Sequence, residues 1–68
     1  MMRGTVKMWN ESRGFGFITP DDGGTALFVH ARQLSGGLDT LRSRAEVIFT
    51  IGQSQRTGLV EAQNVVLA

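Results

Sequence analysis

A chain of 68 residues with a formal net charge of +1 and 41% hydrophobic side chains reads as a single domain, residues 1–68, with room for no second core. It has no cysteine and one histidine, His30, which excludes disulfides, thiolate metal sites and a histidine-built zinc centre, and no cofactor is expected. No apolar run approaches the ~20 residues that cross a bilayer, and the N-terminus lacks a signal-peptide core, so the expectation is a cytoplasmic protein with no membrane partner.

In chain order, short extended runs alternate with glycine-marked turns. Arg3 to Asn10 forms the first run, in which Thr5, Val6 and Trp9 favour a strand, and Asn10-Glu11-Ser12 reads as a turn. Phe15 to Thr19 is the second run, closed by Pro20-Asp21-Asp22-Gly23-Gly24, a strong turn signal too short for a calcium loop. Thr25 to His30 is the third, and Ser35-Gly36-Gly37 marks a loop. Ala45 to Ile51 is the fourth, with Val47, Phe49 and Ile51 alternating as core candidates. Gly52 to Gly58 is polar and loop-like, and Leu59 to Leu67 is the fifth run. Only Ala31–Leu34 and Asp39–Arg44 are candidates for helix, and neither carries a sustained 3.6-residue apolar period. Five short strands in so small a chain predict an all-β barrel, closed or nearly so, which removes exposed edges.

Side-chain alternation separates two faces of the second and third runs. Ile18, Leu27 and Val29 point one way as core, and Phe15, Phe17, Phe28 and His30 point the other. A short hairpin would gather these four rings on one outer surface, a liability in a soluble protein unless something covers it. Aromatic rings on an open sheet stack unpaired bases at roughly 1–3 kcal/mol per base with little regard to sequence. Arg13-Gly14-Phe15-Gly16-Phe17-Ile18 has most of the aromatic strand pattern of single-stranded RNA binders, with Arg13 placed to meet phosphate. The near-neutral charge excludes binding by charge alone, although Arg3, Lys7 and Arg13 outweigh Glu11 in the first fifteen residues.

The order Val6-Lys7-Met8-Trp9-Asn10, then Arg13-Gly14-Phe15-Gly16-Phe17-Ile18-Thr19-Pro20, then Phe28-Val29-His30, with Asn64-Val65 near the end, resembles the cold-shock domain over essentially the whole chain. That resemblance implies a five-stranded antiparallel oligonucleotide-binding (OB-fold) Greek-key barrel whose first three strands present aromatics to single-stranded RNA or DNA. It implies base stacking by Phe15, Phe17, Phe28 and His30, and backbone or base-edge contacts by Lys7 and Arg13. Arg56, in the loop between the last two strands, matches a basic residue of the family. The chain departs from the family at Met8 and Trp9, where tryptophan then phenylalanine are usual, and at Ala31 and Leu38, where aromatics are usual. It also departs at Ala26, where an acid is common. Simple alternation puts Trp9 beside Lys7 on the ligand face and Met8 beside Val6 in the core, making Trp9 a further candidate contact.

Two other readings stand beside this one. The missing rings at positions 31 and 38 motivate a protein-interaction barrel with weakened nucleic-acid binding. An RNA-recognition motif of the βαββαβ type lacks its two helices here. No nucleophile, carboxylate pair or metal cluster surrounds His30, so neither an enzyme nor a small-molecule substrate is expected. The expected state is a monomer, with strand swapping as the route to a dimer.

Overall fold

The computed structural model describes residues 1–68 and contains five strands: β1 (Met2–Asn10), β2 (Phe15–Pro20), β3 (Leu27–His30), β4 (Glu46–Gln53) and β5 (Val60–Leu67). They close into a barrel in the order β1-β2-β3-β5-β4, with β4 returning to β1. Four of the five seams are antiparallel, and the β3–β5 seam is parallel, held in register by one bridge, Phe28 opposite Glu61. A four-residue β3 offers little length for pairing, so this is the most open seam of the barrel.

Closure sends alternate side chains inward. Val6, Ile18, Val29, Val47, Phe49, Ala62 and Val65 supply the core from all five strands, and Leu41 plugs it from the β3–β4 connection. Leu34, Leu38 and Ala45 pack against this cluster from the same connection. The first stretch considered for helix contains a single 3-10 turn, Ala31–Gln33, while 39–44 stays irregular. No helix is long and apolar enough to cross a membrane.

The period-two expectation fails in two places, each at a bulge. Ile51, expected in the core beside Phe49, is 48% exposed. β4 pairs with β1 only as far as Phe49, because β1 begins at Met2, and a bulge between Ile48 and Thr50 shifts the register. Beyond it the β4–β5 hairpin projects without a neighbour on that side. The other failure lies in β1 and decides what its outer face presents.

Candidate nucleic-acid interface

β1 carries an extra residue against β2: Val6 faces Ile18, but Met8, not Lys7, faces Phe17. Lys7 is the bulge residue, and from there on the alternation is reversed. Met8 therefore lies on the outer face opposite Phe17, exposed, as is Lys7. Trp9 is opposite Gly16 and packs against the core, correcting the expectation that it lies on the ligand face. Its indole N–H is buried without a partner. Gly16 is required beneath it: a Cβ there would collide with the Met8 carbonyl and approach Trp9 Cε3 to 2.8 Å.

β2 and β3 pair with Phe15 opposite His30 and Phe17 opposite Phe28, so these four side chains share the outer face. Phe28 is the hub. Its ring centroid lies 5.8 Å from that of Phe15 in a stacked arrangement and 5.9 Å from that of Phe17 edge-to-face. All three rings are half-buried, each braced by its neighbour and open on its outer side. Contacts of this geometry are worth about 0.5–1.5 kcal/mol beyond area burial, which helps hold the rings in place before a ligand arrives.

Arg13 stands at the start of this face on a turn built by Asn10. The Asn10 Oδ1 accepts from Ser12 Oγ at 3.0 Å and from the Arg13 N–H at 3.1 Å, while the Asn10 carbonyl accepts the Gly14 N–H at 2.8 Å. Gly14 turns the chain into β2 at φ 74°, a conformation that disfavours any side chain. The Arg13 side chain is exposed and forms no ion pair.

His30 does two jobs at the far end. It caps the 3-10 turn: its Nδ1 accepts the Arg32 backbone N–H at 3.1 Å and faces the Arg32 Nε–H at 3.4 Å. With Nδ1 used as an acceptor, the proton of the neutral ring sits on Nε2, leaving a donor free for a ligand.

Across the β3–β5 seam the face continues into a groove of about 580 Å³. It is lined by Phe28, His30 and Arg32 from β3 and the turn after it and by Arg56 from the β4–β5 loop, and Phe28 is its single hydrophobic lining residue. The loop is tied to Ser54, whose Oγ accepts the N–H groups of Arg56 and Thr57 at 3.2 and 3.3 Å and whose carbonyl accepts the Gly58 N–H at 2.8 Å. Glu61, 6% exposed, also lines the groove and accepts from Gln63 Nε2 at 3.0 Å.

Of the residues singled out from the sequence, Phe15, Phe17, Phe28 and His30 come together on one face, with Lys7 at its β1 side and Arg13 at its turn. Arg56 lines the same groove as His30. Met8, Arg32, Glu61 and Gln63 escape a reading of the sequence. Met8 is hidden by the bulge, which no period-two pattern shows. The others are ordinary polar residues brought to the groove by barrel closure.

A small closed barrel with contiguous rings on the outside of β2 and β3 and cations at the margins is the architecture of an oligonucleotide-binding domain. The family model of the 'Cold-shock' DNA-binding domain matches residues 2–68. The cold shock-like protein CspG of Shewanella violacea is 50% identical over 64 residues, covering 93% of this chain and 89% of its own. The cold shock protein of Arthrobacter globiformis is 49% identical over 57 residues, covering 82% and 85%. The cold shock protein CspA of Rhizobium meliloti is 42% identical over 65 residues, covering 94% of each. This chain belongs to the cold-shock domain family.

Proposed function

We propose that this protein binds single-stranded RNA or DNA with low sequence specificity, by stacking bases on Phe15, Phe17 and Phe28, and so keeps RNA unfolded as a chaperone in the cytoplasm. The observation that carries the reading is the packing of Phe15 and Phe17 on Phe28 on an outer face, with centroids 5.8 and 5.9 Å from that of Phe28. Flat, half-exposed rings in contact offer a base an apolar surface that is already ordered, so little side-chain entropy is lost on binding. Lys7, Arg13 and Arg56 serve the phosphates, and His30 adds its ring and its free Nε2–H.

Unfolding of RNA then follows from mass action without a nucleotide triphosphate. A protein that binds the open strand alone stabilises it by about 2.7 kcal/mol when free protein reaches a hundred times its Kd. That is enough to open short hairpins and too little to melt long duplexes. By the same logic the protein would affect transcription and translation wherever a weak hairpin sets the outcome, including growth in the cold.

The test is the melting of a fluorescent RNA hairpin with increasing protein. The expected result is a fall in melting temperature that saturates with binding and is absent in Phe28→Ala. An unchanged melting temperature at saturating protein would rule out the chaperone reading. Absence of binding to oligothymidine or oligouridine would leave the protein-interaction barrel as the better account.

A further inference from the structure

The groove across the β3–β5 seam is lined by two arginines, Arg32 and Arg56, and only Arg56 is suggested by the family resemblance. Arg32 is an exposed side chain with no carboxylate partner, the molecule's one ion pair being Arg3 with Glu46 at 3.8 Å. It is nonetheless positioned. Its backbone N–H is fixed on His30 Nδ1 at 3.1 Å, its Nε lies 3.4 Å from the same nitrogen, and the residue lines the groove. The loop that carries Arg56 is likewise ordered, by the bonds of its backbone to Ser54. The one carboxylate lining the groove, Glu61, is 6% exposed and accepts from Gln63 Nε2, so the two arginines outnumber it there.

We infer that Arg32 contacts a backbone phosphate of a strand leaving the aromatic face through this groove, in addition to Arg56. The inference rests on the base-stacking reading above and extends it to a residue and a surface outside the rings. A planar guanidinium with several fixed donors suits a phosphate, and two of them in one groove offer the backbone two such contacts. Phe28 and His30 line the groove as well as the platform, so a strand whose bases lie on β2 and β3 has its next nucleotides here. The bases stack on the rings, and the departing backbone passes along Arg32 and Arg56.

The test compares tetrathymidine, long enough for the rings alone, with octathymidine, by fluorescence anisotropy at several salt concentrations. Arg32→Ala retains the backbone N–H that His30 caps, so folding is unaffected, and a thermal melt verifies it. The variant is expected to bind octathymidine roughly tenfold more weakly, the scale of one charge-assisted hydrogen bond. Its plot of log K against log salt is expected to flatten by about 0.7, one phosphate contact on a single strand. Tetrathymidine binding stays as in the parent. Arg32→Lys restores the slope, and the Arg32→Ala, Arg56→Ala pair shows coupling in a double-mutant cycle.

Octathymidine bound by Arg32→Ala with the parent's affinity and slope would overturn the inference. So would an equal loss with both oligonucleotides, which would mean that Arg32 acts through His30 on the platform. A parent that binds tetrathymidine but gains nothing from the longer strand overturns the groove alone. A parent that binds neither removes the stacking reading and this inference with it.

Discussion

The outer band of the barrel has two regions that touch at Phe28 and differ in nearly every other respect. On β2 and β3 the surface is three rings joined through Phe28. Across the β3–β5 seam it is a polar groove in which Phe28 is the one hydrophobic residue. The first is organised by sheet register, which fixes Phe15 against His30 and Phe17 against Phe28 whatever the ligand. The second is organised by caps and turns: His30 on Arg32, Ser54 on the loop of Arg56. Stacking accepts any base and is insensitive to salt, whereas arginine contacts to phosphate are weakened by it. On the function proposed above, this pairing would let a chain with a net charge of +1 bind nucleic acid, with affinity from the rings and the few cations set along the backbone's path.

The sharpest way to break this division is Phe28→Ala. It deletes one stacking surface, worth about 1–3 kcal/mol, and removes the support of Phe15 and Phe17 as well. Oligothymidine affinity should fall by roughly a hundredfold in anisotropy titrations, with a moderate loss of thermal stability. Phe28→Leu keeps apolar area but no flat face, so it should recover the stability and little of the affinity. A leucine variant that binds like the parent would show that area, not stacking, matters.

Next in size is a gain. Met8 faces Phe17 at the β1 side of the face, so Met8→Trp adds a ring beside the existing three. Affinity should rise roughly tenfold, one further stacked base, with the salt slope unchanged. No gain would mean that the bound strand does not reach β1.

Arg44 provides the control outside both regions. It takes φ 74° in a turn closed by the Ala45 N–H on the Arg42 carbonyl at 3.1 Å, a backbone conformation suited to glycine. Arg44→Gly should stabilise the fold by about 1 kcal/mol, a rise of roughly 4–8 °C in Tm for a domain of this size, with oligothymidine affinity unchanged. A loss of affinity would extend the charged region to the β3–β4 connection.

The smallest expected signal concerns Trp9. Packed over Gly16, inside the outer face, it should change little in fluorescence when octathymidine binds and strongly when the protein unfolds. Deep quenching on binding would place the indole on the ligand after all.

Much of this was legible in the sequence because it depends on local pattern. Glycine and proline punctuation separates the five strands, and alternation assigns Ile18 and Val29 inward and Phe15, Phe17 and Phe28 outward. What stayed hidden depends on events that alternation does not encode. One inserted residue at Lys7 exchanges the roles of Met8 and Trp9. The loss of a β1 neighbour after Phe49 exposes Ile51. The groove is assembled from residues as distant in sequence as Arg32 and Gln63, so it exists only once the parallel seam forms. Leu38, read as a replacement for a loop aromatic, packs against the core instead.

The central claim is that rings supply the affinity and arginines the salt dependence. Its most direct test is octathymidine binding by the parent, Phe28→Ala and Arg56→Ala over a range of salt, extrapolated to molar salt, where phosphate contacts contribute little. Four cations along the band, Lys7, Arg13, Arg32 and Arg56, limit the parent's slope to about −3. Phe28→Ala should lower the intercept and keep the slope, and Arg56→Ala should flatten the slope and keep the intercept. A parent whose binding vanishes at molar salt, with Phe28→Ala sharing its intercept, would contradict the account.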